Sequence, residues 1–383
     1  MGRDTRESGD WIAEEIIDGL KKRGLVVWNI GIVSTPCVAY LSRVLDGVNG
    51  GIMITASHNP VSDNGVKVFD GNGDKFDDNM ELEVEEELAD GELVEKSEIV
   101  EKYENALLEE RSIEGVKICL DSASGGAYVL AKEIFGKGGA EVSEISDSPN
   151  GQNINENAGA LFPENASEKM GHGEFDFGVA LDGDADRVIL IDETGRIWDG
   201  DRIVAMLVKE FAVNKVVMTE YSNLGAVQYL QGIGVEVLKV VVGDKEVVRK
   251  CRENNTRLGG EAAGHIIDLD WLSSSDGMYV AVLVADMLKK RQMKLSELWP
   301  NYEDYPQKIW NIKVTEKKPL EEIAGWSEAY EWGSGKLGNE GRAFARYSGT
   351  EKKLRIMVEA KDQEKMNEVG ENLAKIVQEE IGL

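Results

Sequence analysis

The chain has 383 residues, more than one ordinary hydrophobic core accommodates, which predicts several domains. Hydrophobic residues make up 42% and charged residues 30%, with only 7 prolines, and this composition excludes a disordered or collagen-like chain. Asp and Glu (71) outnumber Lys and Arg (43) and give a formal charge of −28, which disfavours non-specific binding to nucleic acid or an anionic membrane. A phosphorylated ligand would therefore need a local basic pocket.

Three cysteines, Cys37, Cys119 and Cys251, are far apart and form no pair at metal-ligand spacing, so we expect reduced thiols. No apolar run reaches the ~18–20 residues of a membrane span. The first six residues lack the apolar stretch of a signal peptide. These features predict a cytoplasmic protein.

Helix and strand patterns alternate along the chain. Ile12, Ile16 and Leu20 share one face of a predicted helix at 8–24, and a strand is predicted at 25–28. The acidic stretch 81–110 predicts a long, solvated helix. Further strands are predicted at 116–120, 140–145, 176–181, 187–192, 215–219, 235–242, 309–314, 343–345 and 354–359, and further helices at 127–135, 202–212, 226–231 and 362–380. Such alternation predicts parallel sheets covered by helices.

The first motif that suggests chemistry is the loop Thr55–Pro60 after the apolar strand Gly51–Ile54. It displays Ser57 at the carboxyl end of a strand, where ligands bind in open α/β sheets. A simple polar turn is the competing interpretation. The functional hypothesis is a nucleophilic or phosphorylated Ser57, with His58 and Lys67 near enough to move protons.

Asp182, Asp184 and Asp186 form the second motif, since alternate side chains of an extended loop can converge on a hard cation such as Mg²⁺. Asp182, Asp184, Asp186 and Glu193 also match four ligand offsets of an EF-hand, but Arg187 stands where glycine is needed and 188–191 reads as a strand. A phosphoaspartyl nucleophile is a further alternative. An acidic turn without a cation is disfavoured because the three carboxylates repel one another.

Two glycine-containing loops complete the set. Gly259–His265 carries Glu261 and His265, which suit hydrogen bonding to sugar hydroxyls, although a tight turn would explain it equally well. Arg346–Glu351, followed by Arg355, offers guanidinium, hydroxyl and backbone N–H donors for a phosphate monoester; a plain hairpin turn is the alternative.

With these four motifs in order, the sequence resembles the α-D-phosphohexomutase family, and its phosphoglucosamine mutase branch more closely. Further segments that carry the resemblance are Gly2–Gly9, Thr35-Pro36, Asp63–Gly65, Asn153–Asn155 and Ser222–Gly225. The resemblance implies three tandem α/β domains with mixed sheets plus a C-terminal α+β domain around a central cleft. We place them at 1–112 (phosphoserine domain), 113–210 (metal binding), 211–304 (sugar recognition) and 305–383 (phosphate binding).

The resemblance also implies roles for individual residues. The catalytic set would be Ser57, His58, Lys67, Arg3 and Arg187, with Arg6 supplying further positive charge, and the Mg²⁺ ligands would be Ser57, Asp182, Asp184 and Asp186. Lys67 would be the general acid/base and His58 its orienting partner. The substrate would contact Lys245, Glu261, His265, Arg346, Ser348, Gly349, Thr350 and Arg355.

The chain departs from the family pattern at several positions. Family members carry a further segment before the Gly2–Gly9 motif, so we expect a first domain that lacks its opening strands and helix and exposes sheet edges. Substitutions at Ala263, Tyr347, Lys352 and Lys245 would weaken individual contacts without removing the reaction.

The resulting hypothesis is reversible transfer of phosphate between glucosamine 6-phosphate and glucosamine 1-phosphate through phosphoserine and a bisphosphate. The partners would be hexose or hexosamine phosphates, without nucleic acid or membrane, for a monomer or homodimer. Three alternatives stay open: a phosphoglucomutase or phosphomannomutase, a Mg²⁺-dependent phosphatase with Asp182 or Asp184 as nucleophile, and a non-catalytic sugar-phosphate binding protein.

Overall fold

The computed structural model describes residues 1–76, 92–171, 174–348 and 351–383. This part of the chain divides into two compact units. The first contains Met1–Tyr221 and Gly234–Pro300, and the second contains Ser222–Ile233 and Asn301–Leu383. Among the described helices, none is both long enough and apolar enough to cross a bilayer.

The first segment of the chain builds two small sheets of the first unit. A three-stranded sheet has the order β1-β3-β4, and β2 pairs with β5 in parallel. The elements are β1 Gly2–Arg3, α1 Ser8–Lys22, β2 Val27–Asn29, α2 Thr35–Val44, β3 Gly50–Ile54, β4 Val66–Asp70, β5 Leu93–Glu95 and α3 Val100–Leu108. The predicted strand at 25–28 is wrong at its start, because Leu25 and Val26 are exposed and unpaired in either sheet.

The predicted long helix at 81–110 is also wrong within the described residues. Residues 81–91 lie outside them, and the remainder contains the strand β5, a 3-10 turn at Ser97–Ile99 and the nine-residue α3. Tyr103 and Leu107 of α3 are fully buried, so this helix packs against the body of the unit. The prediction of a solvated helix rested on acidic composition, which does not reveal this apolar face.

An apolar cavity of about 540 Å³ borders the first sheet. Leu20, Trp28, Leu41 and Phe69 are among its lining residues, and none of the described residues that line it has a charged side chain. A sugar phosphate needs cationic or hydrogen-bonding partners for its dianion. The cavity is therefore unsuited to the ligand class that the motifs indicate.

The second segment forms a five-stranded sheet of order β10-β9-β8-β6-β7. Its elements are β6 Lys117–Asp121, α4 Tyr128–Lys137, β7 Glu141–Ile145, α5 Glu164–Met170, β8 Phe177–Leu181, β9 Val188–Asp192, β10 Ile197–Trp198 and α6 Gly200–Glu210. β6 runs parallel to β7 and β8, whereas β8 and β9 are antiparallel. The sheet is thus mixed, and the predicted loop of three aspartates is the connection between its buried strands β8 and β9.

The third segment adds a four-stranded sheet of order β12-β11-β13-β14. Its elements are β11 Lys215–Thr219, α7 Leu224–Gly232, β12 Glu236–Val240, α8 Asp244–Glu253, β13 Leu258–Gly260, β14 Ile266–Asp268 and α9 Gly277–Arg291, of which α7 groups with the second unit. β13 and β14 form an antiparallel pair. Their connection carries Glu261 and His265.

The second unit contains an antiparallel sheet of order β15-β17-β16 with two helices. Its elements are β15 Gln307–Lys313, α10 Trp326–Leu337, β16 Gly341–Tyr347, β17 Lys353–Ala360 and α11 Gln363–Ile381. Alternate residues Leu354, Ile356 and Val358 of β17 are buried together with a stripe of α11 that includes Val369 and Leu373. Every second residue of a strand, and residues four apart in a helix, point to the same side. This spacing places the apolar residues of β17 and α11 on the two faces that meet in this core.

Gly370 of α11 lies in close contact with Trp310 of β15. A Cβ atom there would lie 2.1 Å from Cη2 of Trp310, whereas a Cβ at Gly335 of α10 would meet nothing within 4 Å. We expect Gly370→Ala to lower the free energy of unfolding by ~1–3 kcal/mol through overpacking. Gly335→Ala should raise it by up to ~1 kcal/mol because alanine favours a helix. Urea denaturation of both variants measures this; equal stability of the two would contradict the packing described.

Candidate active site

Ser57 lies in the loop after β3, as the sequence predicts. Its backbone is left-handed, with φ at 52°, which a residue with a Cβ rarely adopts, and it is 9% exposed. Its hydroxyl donates to Oδ2 of Asp182 at 2.7 Å, and Nδ1 of His58 lies 3.5 Å from the same oxygen. The structure therefore brings together a serine, an imidazole and the first aspartate of the acidic loop.

The carboxylates of Asp182, Asp184 and Asp186 are buried, and one oxygen from each lies within 4.8 Å of the others. Burial raises the pKa of Asp182 to about 7, with the charges of Asp186 and Asp184 adding to the shift. Oδ1 of Asp184 is buried, and no described residue forms a hydrogen bond with it. A hard divalent cation takes such carboxylate oxygens as ligands and would relieve their repulsion, so this residue set fits a metal ion.

Lys67 on β4 contacts two of these carboxylates. Its Nζ lies 2.6 Å from Oδ2 of Asp184 and 2.8 Å from Oδ2 of Asp186. Burial alone would lower the pKa of Lys67, but the two carboxylates outweigh it and raise the pKa well above its usual range. Lys67 is thus a protonated ammonium in this arrangement. A protonated Lys67 cannot act as a general base, and its raised pKa also makes it a weak proton donor, so what it supplies in this arrangement is positive charge.

His265 and Glu261 occupy the β13–β14 connection and form a chain to the acidic loop. Nδ1 of His265 lies 2.5 Å from Oε2 of Glu261, and its Nε2 lies 3.3 Å from Oδ1 of Asp186. Burial opposes protonation, yet Asp186 and Glu261 raise the pKa of His265 to about 9. The charged imidazolium, like Lys67, partly balances the aspartates.

Arg187 joins the two loops. Its backbone forms a bridge with His265, its N–H donates to Asp182 at 3.2 Å, and its Nε lies 3.1 Å from Nε2 of His265. The pKa of His58 is lowered by burial and by the charge of Arg187. A neutral His58 next to Ser57 is able to accept a proton.

Three predicted positive groups make other contacts. Arg3 pairs with Asp10 at 2.5 Å, and Nζ of Lys245 donates to the carbonyl of Phe76 at 2.6 Å. All five N–H donors of the Arg6 guanidinium are engaged with Asp4 and with loop carbonyls. Arg6 keeps its positive charge in these contacts, but its side chain has no N–H group left to donate to a substrate.

The predicted phosphate ligands lie in the second unit. Arg346 on β16 and Arg355 on β17 are directly opposite each other in the antiparallel pair. Nη2 of Arg355 lies 4.0 Å from Oε2 of Glu351, and its Nε is buried with no hydrogen-bond partner in the described part of the chain. Like charges opposite each other destabilise a sheet unless an anion lies near them. Ser348 follows β16, and its carbonyl accepts from Lys317 at 2.7 Å. Gly349 and Thr350 lie outside the described residues.

Sequence reasoning missed several residues that the structure places in the first-unit site. Thr35 donates its hydroxyl to Asp184, and its N–H donates to the Asp184 carbonyl at 2.9 Å. Lys75 pairs with Asp244 and lies 3.8 Å from Asp186. The Thr35-Pro36 pair at the start of α2 could have predicted Thr35 as a site residue. No local sequence pattern predicts Lys75 as one.

Sequence comparison matches the chain to four consecutive domain profiles of one family. Their descriptions are phosphoglucomutase/phosphomannomutase alpha/beta/alpha domain I over residues 1–95, domain II over 97–195, domain III over 199–305, and the C-terminal domain over 310–376. The predicted fold class, with three α/β domains and a C-terminal α+β domain, is confirmed.

Curated relatives and solved structures agree with this match. Phosphoglucosamine mutases of Bdellovibrio bacteriovorus and Staphylococcus aureus (strain Newman) are 37% and 39% identical over all of this chain and 88% and 89% of their own. A phosphoglucomutase/phosphomannomutase family protein of Burkholderia thailandensis superposes with a TM-score of 0.82 at 20% identity, covering 100% of this chain and 90% of its own. Aspergillus fumigatus N-acetylphosphoglucosamine mutase, solved with GlcNAc-6P and magnesium, gives a TM-score of 0.68 at 18% identity and covers 90% and 92%.

Ser57 lies beside the acidic loop, all four domain profiles match, and the relatives are similar over the whole chain. The chain therefore belongs to the phosphoglucomutase/phosphomannomutase family. It is a phosphohexomutase, an isomerase that works by intramolecular phosphoryl transfer.

Proposed function

We propose that this phosphohexomutase interconverts glucosamine 6-phosphate and glucosamine 1-phosphate, with Ser57 as the phosphoryl carrier. The observation that carries the proposal is the 2.7 Å hydrogen bond from Ser57 Oγ to Asp182 within the buried acidic loop. The amino sugar is inferred from relatives that share 37–39% identity over the whole chain and are named phosphoglucosamine mutases. A phosphoglucomutase or phosphomannomutase is the second candidate, since the family covers both sugars.

The transfer proceeds in two mirror-image steps. Phosphoserine 57 gives its phosphoryl group to the free sugar hydroxyl: the P–O bond to Ser57 breaks, the P–O bond to the sugar forms, and the hydroxyl proton passes to a base. The resulting bisphosphate turns end for end, and its other phosphoryl group returns to Ser57. Nδ1 of His58, 3.5 Å from Ser57 Oγ, accepts the hydroxyl proton and passes a proton to the Ser57 oxygen that is released, so the step takes up and frees no net proton. We assign this proton transfer to His58 in place of Lys67, whose ammonium stays protonated against Asp184 and Asp186.

Asp182, Asp184 and Asp186 would hold Mg²⁺ together with the Ser57 oxygen. A bound Mg²⁺ neutralises negative charge on the phosphoryl group that moves. The Lys67 ammonium contacts two of these carboxylates, and the charge of Arg187 acts on Asp182, whose pKa it lowers against the larger effect of burial. This arrangement suits phosphoryl transfer, in which positioning and electrostatic stabilisation supply most of the rate enhancement.

The phosphate that does not react would bind to Arg346, Ser348, Gly349, Thr350 and Arg355. The facing arginines on β16 and β17 support this assignment, because two adjacent guanidinium groups can donate to one phosphate and Nε of Arg355 has no hydrogen-bond partner among the described residues. Glu261, His265 and Lys245 would contact the sugar. Binding at the far end of the substrate positions the reacting end.

The remaining assignments are also proposals. We place the four functional domains at residues 1–112, 113–210, 211–304 and 305–383. We expect a cytoplasmic enzyme that acts as a monomer or homodimer and takes hexose or hexosamine phosphates and their bisphosphates as ligands.

Loading of Ser57 is the first test. Purified protein incubated with glucose 1,6-bisphosphate should gain one phosphoryl group on Ser57 by intact-mass and peptide mapping, and should lose it to added sugar monophosphate. Ser57→Ala should lower mutase turnover by at least about a thousandfold, as loss of a nucleophile does. Ser62→Ala, an exposed serine of the same loop, should leave turnover unchanged.

Two outcomes would contradict this assignment. Retained phosphate-ester hydrolysis in Ser57→Ala, with loss in Asp182→Asn, would indicate an aspartyl phosphatase. Calorimetric binding of sugar phosphate without turnover, even with bisphosphate present, would indicate a binding protein.

Sugar choice is tested by comparing kcat/KM for glucosamine 1-phosphate, glucose 1-phosphate and mannose 1-phosphate. We expect the amino sugar to be preferred by about tenfold or more, because a site that hydrogen-bonds the amino group leaves polar groups unpaired when that group is missing. Equal or higher kcat/KM with glucose or mannose 1-phosphate would favour the second candidate.

Metal binding should respond to Lys67. Because its ammonium contacts Asp184 and Asp186, a divalent cation competes with it for these carboxylates. Lys67→Met should therefore tighten Mg²⁺ binding by about tenfold in calorimetry, equal to ~1.4 kcal/mol, while lowering turnover. Lys132→Met, on the exposed face of α4, should leave the affinity unchanged. Unchanged or weaker Mg²⁺ binding by Lys67→Met would refute the competition.

A further inference from the structure

The backbone of Ser57 is held on both sides in an unfavourable conformation. Its φ of 52° is left-handed, a region that residues with a Cβ avoid unless their surroundings impose it. The N–H of Ser57 donates to Thr55 Oγ1 at 2.8 Å, and the Ser57 carbonyl accepts from Arg6 Nη2 at 3.0 Å and from Asn155 Nδ2 at 2.8 Å. Both peptide groups of the serine are therefore tied to other parts of the first unit.

The guanidinium of Arg6 supplies one of these ties and donates to three further carbonyls of the same loop. Its Nη1 donates to the carbonyls of Pro60 at 2.6 Å and Asp63 at 3.0 Å, and its Nη2 donates to those of Ser57 and Asn59. The residue is 1% exposed. A planar group with five donors in one fork fixes the positions of its acceptors relative to one another, which a lysine ammonium cannot do. Arg6 thus shapes the entire Ser57 loop.

Asp4 closes a ring of hydrogen bonds with Arg6 and Thr55. Nε of Arg6 donates to Oδ2 of Asp4 at 3.0 Å, and the Thr55 hydroxyl donates to the same oxygen at 2.7 Å. The ring runs from Ser57 N–H through Thr55, Asp4 and Arg6 back to the Ser57 carbonyl. Asp4, Arg6 and Thr55 are all buried, so water does not compete for these contacts.

We propose that Arg6, acting through this ring with Asp4 and Thr55, is a positioning residue that keeps the Ser57 backbone left-handed so that its Oγ faces the acidic loop. The inference rests on the proposed role of Ser57 as phosphoryl carrier. In each cycle that side chain alternates between a neutral hydroxyl and a phosphate ester, so charge near the loop changes twice. The charges of Arg6 and Asp4 in the ring cancel each other. The ring therefore holds the Ser57 backbone in one conformation whether the side chain is a hydroxyl or a phosphate ester.

Disruption of the ring should affect the rate of phosphoryl transfer more than the affinity for the substrate. The ring contacts the backbone of Ser57, and all the guanidinium donors of Arg6 are already used. Loss of the ring should therefore leave substrate binding unchanged. Misplacement of the reacting oxygen by about 1 Å costs about a hundredfold in rate. Variants of the ring should therefore lower kcat while KM stays within about twofold.

Two independent variants test the ring. Arg6→Lys keeps the charge but removes the fork, and Thr55→Val removes the hydroxyl that links Ser57 N–H to Asp4 while preserving shape. Thr55→Ser restores the hydroxyl and is the rescue variant. Arg111→Lys is the matched control for structural loss, because Arg111 also donates to backbone carbonyls, those of Leu107 and Ala106, and packs on Trp271.

The measurement is single-turnover transfer from phosphorylated Ser57 to sugar phosphate, followed by intact mass, together with steady-state KM. Every protein is compared at a temperature where circular dichroism shows it folded. We expect Arg6→Lys and Thr55→Val to transfer about 10- to 100-fold more slowly than the unmodified chain, and Thr55→Ser and Arg111→Lys to transfer within about threefold of it.

Each alternative result has a separate meaning. Transfer by Arg6→Lys and Thr55→Val at the unmodified rate would overturn the positioning role while leaving Ser57 as carrier. A raised KM with unchanged kcat in Arg6→Lys would overturn it in favour of substrate contact. If the unmodified chain itself takes up no phosphoryl group on Ser57, the proposed function fails first, and the positioning role fails with it.

Discussion

Three buried carboxylates within 4.8 Å of one another set the electrostatic constraint that the rest of the first unit has to satisfy. Such a cluster is costly unless positive charge lies against it. The structure supplies that charge from separate parts of the chain: Lys67 from β4, Lys75 from the turn after it, and His265 from the β13–β14 connection. Elements far apart in sequence are thereby brought to one place by charge as well as by packing.

The same charges decide what the neighbouring groups can do. Lys67 and His265 hold protons because they face carboxylates, whereas burial and Arg187 keep His58 neutral beside Ser57. A phosphoryl carrier needs a neutral base close to its oxygen and positive charge around the phosphate. The pKa directions thus give protonated groups at the carboxylates and a neutral imidazole beside Ser57.

The second unit shows a related principle in a sheet. Arg346 and Arg355 face each other on adjacent antiparallel strands above an ordinary apolar core of β17 and α11. Two guanidinium groups on adjacent strands are suited to donate to one anionic ligand.

Local sequence patterns determined which residues have side chains suited to catalysis or ligand binding, and which segments are helix or strand. The apolar run before Ser57, the alternate aspartates and the glycine-flanked Glu261 loop were all recognisable, because strand length, turn residues and ligand spacing are local properties. Tertiary structure alone decided how those residues are used. The left-handed backbone of Ser57, the commitment of all five Arg6 donors to carbonyls and the 3.8 Å approach of Lys75 to Asp186 depend on contacts between distant segments. Acidic composition likewise predicted a solvated helix where Tyr103 is fully buried, because charge counts do not record which face of a helix meets the core.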